Sequence, residues 1–150
     1  MDEDLRSEIV EFTNDMLELG GFDLDAEADD NFDGLRIDIA GDDVPLLLAR
    51  NAELLDALEY VCNRAYAKDP SVENRIVFDA ANYRSRREKE LRLMADKAAE
   101  KVRATGVPFS FDPMSPNERR IVHLALVDDK TVETESRGDG PDRKVVIYPT

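Results

Sequence analysis

The 150-residue sequence predicts an α+β fold made of two small domains. Three observations predict it. Segments with helical spacing of apolar residues alternate with short stretches of strict apolar–polar alternation. Apolar content is ample for a core, and no run approaches the length that spans a bilayer. The charge is also split along the chain. Residues 1–82 hold 22 acidic and 6 basic side chains, whereas residues 83–150 hold 12 and 14.

Residues 3–19 read as an amphipathic helix, with Leu5, Ile9, Phe12, Met16 and Leu19 on one stripe and Gly20-Gly21 as its stop. Residues 22–28, Phe-Asp-Leu-Asp-Ala-Glu-Ala, alternate and read as a half-buried strand. Asp33-Gly34 supplies a turn, and Leu35–Ile39 alternates again, so the pair reads as a hairpin with an acidic outer face. Residues 44–49 form a short apolar segment. A longer helix follows, with Leu54, Leu55, Leu58, Val61, Cys62 and Ala65 facing inward. Pro70-Ser71 marks a loop, and Arg75–Ala80 reads as a strand.

The second half opens with a long helix over 83–104, whose Leu91, Ala95, Ala98 and Val102 face the core. Gly106 and Pro108 end it, and Phe109-Ser110-Phe111 follows as a strand. A helix over 115–128 comes next, with Ile121, Leu124 and Ala125 inward. Ser115 caps it, Pro116 suits its first position, and Glu118 completes a capping box. Residues 132–136 and 144–148 close the chain as a hairpin around Gly138–Pro141.

The chain's single histidine, His123, lies one helical turn after Arg119, so both project from one helix face. An arginine and a histidine so placed form a small anion-binding pair. This is at odds with a net charge of −14, which repels nucleic acid overall. The charge split relieves the conflict, because exposed charges are screened beyond about 8–10 Å at physiological salt.

Arg119-Arg120-Ile121-Val122-His123 has the spacing of the R-x-x-x-H (R-3-H) domain and resembles it. The wider run Pro113–Leu126, with Thr134-Glu135-Ser136, Arg143–Pro149 and the helix segment Tyr83–Glu88, is similar to the bacterial Jag, or SpoIIIJ-associated, family. Members join a type II KH domain to an R-x-x-x-H domain. The helix, strand, strand, helix, helix, strand order of the first half is the order such a KH domain would have. The resemblance covers almost the whole chain, specifically over 76–149 and loosely over 1–43. It implies a KH-like domain over 1–82 and an R-x-x-x-H domain over 83–150.

Two departures stand out. A KH domain clamps nucleic-acid backbone with a Gly-x-x-Gly loop, where this chain has Ala49-Arg50-Asn51-Ala52. Alanine obstructs the close approach that glycine permits, so the KH-like domain reads as degenerate, with Arg50 as one remaining cation. Many members also carry an additional N-terminal domain, and this chain begins directly at the KH-like helix.

The resemblance implies a non-enzymatic protein that binds single-stranded nucleic acid, RNA ahead of DNA. Arg119 and His123 are the expected phosphate contacts, assisted by Arg143, Ser136, Arg120, Arg86 and Arg50. Few aromatic residues lie near this site, so stacking should contribute little. The competing reading is a protein-interaction module whose acidic KH-like surface docks a basic partner. A hydrolase acting through His123 would need a nucleophile that the sequence does not reveal. No cofactor or metal is expected. The carboxylates Asp29, Asp30, Asp33, Asp42 and Asp43 lack a calcium-loop pattern and read as a solvated face. Cys62 reads as a core thiol, and a cytoplasmic location without membrane insertion is expected.

Overall fold

The computed structural model describes residues 1–29, 34–70, 72 and 75–150. The chain folds as two compact units, Met1–Arg84 and Ser85–Thr150. In the first, α1 (Glu3–Leu19) precedes β1 (Asp25–Asp29), β2 (Leu35–Ala40), α2 (Val44–Ala65) and β3 (Ile76–Asp79). β1 runs antiparallel to β2, and β2 parallel to β3. The parallel pair requires a crossover, which α2 provides. Asp33 of the expected turn, Ser71 of the expected loop, and Asp30 of the acidic run lie outside the described residues.

Asp2 caps α1 by accepting the Leu5 N–H at 2.7 Å. The buried stripe is Leu5, Ile9, Thr13 and Leu17, not the stripe ending at Leu19, which is 89% exposed. Thr13 is accommodated because its hydroxyl donates to the Ile9 carbonyl. β1 begins at Asp25 rather than at Phe22, which packs against the core from the preceding loop. The Asn14 amide bonds both the N–H and the C=O of Ala26. These bonds cover part of an edge strand that would otherwise be open to pairing.

α2 has two arms. Ala49–Ala52 depart from helical geometry between them, and Arg50, Asn51 and Ala52 have φ of 54°, 56° and 62°. The order is therefore helix, strand, strand, helix, helix, strand. The second arm buries Ala52, Leu55, Glu59 and Cys62. Val61 and Ala65 are exposed, contrary to the expected face. The face is rotated because Glu59 lies inside rather than outside. Its carboxylate accepts the Phe78 N–H and pairs with Arg75 and Arg84. Burial pushes the Cys62 thiol up to about 11, which suits an inert core thiol.

In the second unit, α3 (Tyr83–Thr105, its first two residues belonging to the first unit) leads to β4 (Phe109–Ser110), α4 (Pro116–Leu126), β5 (Val132–Arg137) and β6 (Lys144–Pro149). The sheet order is β4-β6-β5, with both pairings antiparallel. Leu91, Ala95 and Val102 of α3 share a core with Val122, Val145 and Ile147. The inward face of α4 is Glu118, Val122 and Leu126. Ile121 and Ala125 are half-buried and pack against this core, whereas Leu124 is exposed, contrary to the sequence reading. Among the described residues, no helix is long and apolar enough to cross a membrane.

Candidate functional site

The helix start that carries Arg119 is fixed by short-range chemistry. Ser115 holds an extended conformation and its Oγ accepts the Glu118 N–H at 3.2 Å, with Pro116 in the first turn. The Glu118 side chain does not serve the capping box as expected. It turns inward and takes the Arg87 guanidinium at 2.7 Å. Both side chains of that pair are 12% exposed. The partnership allows a carboxylate on the core face of α4, because a buried charge is tolerated only when paired. Burying Glu118 and Val122 leaves the next helix row, Arg119 and His123, half-exposed along one side.

A chain of three hydrogen bonds runs from Arg119 into the hairpin. Arg119 donates from Nη1 to the Met114 carbonyl at 2.9 Å. The Met114 N–H donates to the Arg143 carbonyl at 3.2 Å. Arg143 in turn donates from its guanidinium to the Gly138 carbonyl at 2.9 Å. The backbone of Met114 thus links the segments that carry the two arginines. His123 is held by β5, with Nδ1 2.6 Å from Thr134 Oγ1 and Nε2 2.8 Å from Ser136 Oγ. Residues two apart on a strand share a face, so Thr134 and Ser136 bracket the ring together.

Burial holds the His123 pKa below its ordinary value, and the neighbouring Arg119 charge depresses it further. The ring is therefore neutral at pH 7, and the arginines supply the positive charge. Ser136 provides the hydroxyl beside His123 that the sequence did not reveal. However, the ring's other nitrogen meets Thr134, not a carboxylate. A serine hydrolase needs an acidic partner there to stabilise the imidazolium, and Arg119 opposes that charge.

The structure thus links Arg119 with Arg143 through Met114, and His123 with Ser136, as two hydrogen-bonded groups between α4 and the hairpin. Arg120 is exposed and adjacent to Arg119, on a different helix row. Arg86 is exposed on α3. Arg50 belongs to the first unit and pairs with Glu53 at 3.7 Å. Thr134 is the site residue that sequence reasoning misses. A signal for it exists, since it lies two residues before Ser136 on an alternating strand.

Most arginines of the chain are paired, and Arg64 on α2 is an exposed exception in the first unit. Arg36, Arg50, Arg75, Arg84, Arg87, Arg92, Arg103 and Arg137 each pair with a carboxylate. Among the described residues, no carboxylate pairs with Arg119, Arg120 or Arg143. Arg119 and Arg120 on α4 and Arg143 just before β6 therefore keep their positive charge uncompensated in a strongly acidic chain.

Comparison with known proteins identifies the domain family of the second half of the chain. Residues 89–149 match the R-3-H domain family. The RNA-binding protein KhpB of Clostridium symbiosum is 34% identical over 147 residues, covering 97% of this chain and 66% of that protein. KhpB of Bacillus subtilis is 32% identical over 115 residues, covering 75% of this chain and 55% of the relative. KhpB of Streptococcus pneumoniae is 25% identical over 149 residues, with 44% of its length covered. The chain spans between 44% and 66% of the length of these curated relatives. With the R-x-x-x-H helix and these similarities together, the chain belongs to the Jag family and carries that family's R-3-H domain.

Proposed function

We propose that this protein binds single-stranded RNA through the R-3-H domain face formed by Arg119, His123, Thr134, Ser136 and Arg143, without catalysing a reaction. The observation that carries the reading is the set of arginines left without carboxylate partners. Arginine grips phosphate through a planar, bidentate fork, and Arg119 spends one guanidinium nitrogen on the Met114 carbonyl. Arg120 and Arg86 are exposed and would extend the path of the backbone. The names of the relatives, RNA-binding proteins, support the same ligand. A site built on phosphate contacts is tolerant of sequence and sensitive to salt.

The first domain, residues 1–82, acts in this reading as a degenerate KH-like module. Its loop has alanine at both glycine positions. Ala52 adopts φ 62° with its side chain fully buried, and the loop cation Arg50 is engaged by Glu53. The loop therefore contributes little to RNA affinity. Cytoplasmic RNA is the ligand this reading implies.

The test is RNA binding by fluorescence anisotropy at low and at physiological salt, for wild type and for Arg119→Ala/His123→Ala. Wild type should bind at low salt and weaken with added salt. The double variant should bind about tenfold more weakly or worse, on the order of the loss of one charged hydrogen bond. Equal binding by both proteins, or no binding by wild type at low salt, refutes the reading. The latter result would favour a module that docks a basic protein on its acidic half.

A further inference from the structure

His123 has both ring nitrogens engaged by hydroxyls, at 2.6 Å from Thr134 and 2.8 Å from Ser136. This arrangement restricts what the two hydroxyls can offer a ligand. A neutral imidazole carries one N–H donor and one bare nitrogen acceptor. Whichever tautomer is present, one hydroxyl must give its only proton to the ring. That hydroxyl then faces outward with lone pairs alone. The other accepts the ring N–H and keeps its own proton free to donate. The pair therefore presents one acceptor and one donor side by side.

An ionised phosphate has only acceptors and can use one member of such a pair. A sugar hydroxyl is both donor and acceptor, and can use both. The ribose 2′-hydroxyl is the group that lets a protein distinguish RNA from DNA. It belongs to the same nucleotide as the 3′-phosphate, so a phosphate held by Arg119 brings a 2′-hydroxyl to the neighbouring surface. Thr134 and Ser136 are half-buried and retain exposed area.

We infer that Thr134 and Ser136 form a ribose-reading pair, and that His123 acts behind them as a positioning residue that sets their donor and acceptor polarity. The inference rests on the RNA-binding reading above. It divides the site into Arg119 and Arg143, which hold phosphate of either nucleic acid, and the hydroxyl pair, which selects the sugar. Glu133, Glu135 and Arg137 alternate with these residues on β5 and take the other face of the strand, where Arg137 pairs with Glu135 and lies over Tyr148. They are not part of the pair.

The experiment compares three oligonucleotides of one sequence: single-stranded RNA, 2′-O-methyl RNA and DNA. Wild type should bind the RNA about fivefold more tightly than either of the others, the scale of one net hydrogen bond. Thr134→Val/Ser136→Ala should abolish the preference, bringing the RNA and DNA affinities within about twofold of each other. An unchanged circular-dichroism spectrum and melting temperature serve as the control for folding. Equal wild-type affinity for RNA and DNA overturns the inference, and this arm needs no variant. A double variant that keeps the wild-type RNA preference also overturns it. Wild type that binds no RNA at all instead overturns the binding reading on which the inference rests. Loss of RNA binding in Arg119→Ala, with the RNA-to-DNA ratio of the remaining affinity preserved, supports the division of labour.

Discussion

The arginines in the first unit's interior and those on α4 meet opposite fates. Arg36 reaches Asp38 and Asp79, and Arg84 reaches Asp56 and Glu59, so each is spent on carboxylates of its own domain. Arg119 and Arg143 instead donate to backbone carbonyls, which leaves their positive charge uncompensated. The difference shows that net charge is a poor locator of a binding site. The second half carries a net charge near zero, yet Arg87, Arg92, Arg103 and Arg137 within it are also paired. What distinguishes the site is that Arg119, Arg120 and Arg143, on α4 and the adjoining hairpin, all lack a carboxylate partner, and that is a property of contacts, not of composition.

The largest effect should come from breaking the paired side of this contrast. Arg84→Met removes one of the two arginines on Glu59, whose side chain is 7% exposed, and the 2.7 Å contact to Asp56. Removing one member of a buried ion pair costs about 3 kcal/mol, because the remaining charge stays desolvated. Urea unfolding of the full chain should show that loss in the first unit. Arg75, which also reaches Glu59, will offset part of it.

Next in size is the unpaired side. Arg119→Gln should weaken RNA binding at low salt by about tenfold, the lower end for a hydrogen bond to a charged group. The slope of log affinity against log salt should become shallower by about 0.7, the value for one phosphate contact on a single strand. Stability should change little, since only the bond to Met114 is lost. A large loss of stability would show that Arg119 is structural, and the contrast would fail.

A smaller effect sharpens the comparison from the first unit. Arg50→Ala removes an arginine already paired with Glu53 and 86% exposed. Surface pairs of this kind are worth about 0–1 kcal/mol, and RNA affinity should change less than about twofold, a few tenths of a kcal/mol. A loss of about tenfold, or 1.4 kcal/mol, would return the KH-like loop to the binding surface.

The smallest effect is electrostatic. The folded-state pKa of His123 is depressed, chiefly by burial and then by Arg119. The unfolded chain therefore binds the proton more readily, and stability falls as pH drops through the unfolded value near 6.5 and below it. Thermal unfolding at pH 7 and pH 5 should show a larger decrease for wild type than for His123→Gln. The difference between the two proteins isolates the histidine from the carboxylates that also titrate.

The sequence by itself determined the order of elements, the start of α4 and the adjacency of Arg119 and His123. Each depends on neighbours within about one helical turn or two strand residues, such as Ser115 with Glu118 or the alternation of Leu35–Ile39. The same local logic made the Ala49–Ala52 break visible, since it interrupts an apolar run. Tertiary structure decided which faces are buried and which charges are spent. Glu59 and Glu118 lie on core faces because arginines 16 and 31 residues away meet them. The pairing of β5 with β6 and the approach of α4 place Thr134 and Ser136 on His123, 11 and 13 residues from it. A carboxylate's preference for water, or a hydroxyl's choice of partner, is set by whatever the fold brings within about 3 Å. Residue order along the chain carries no record of that distance.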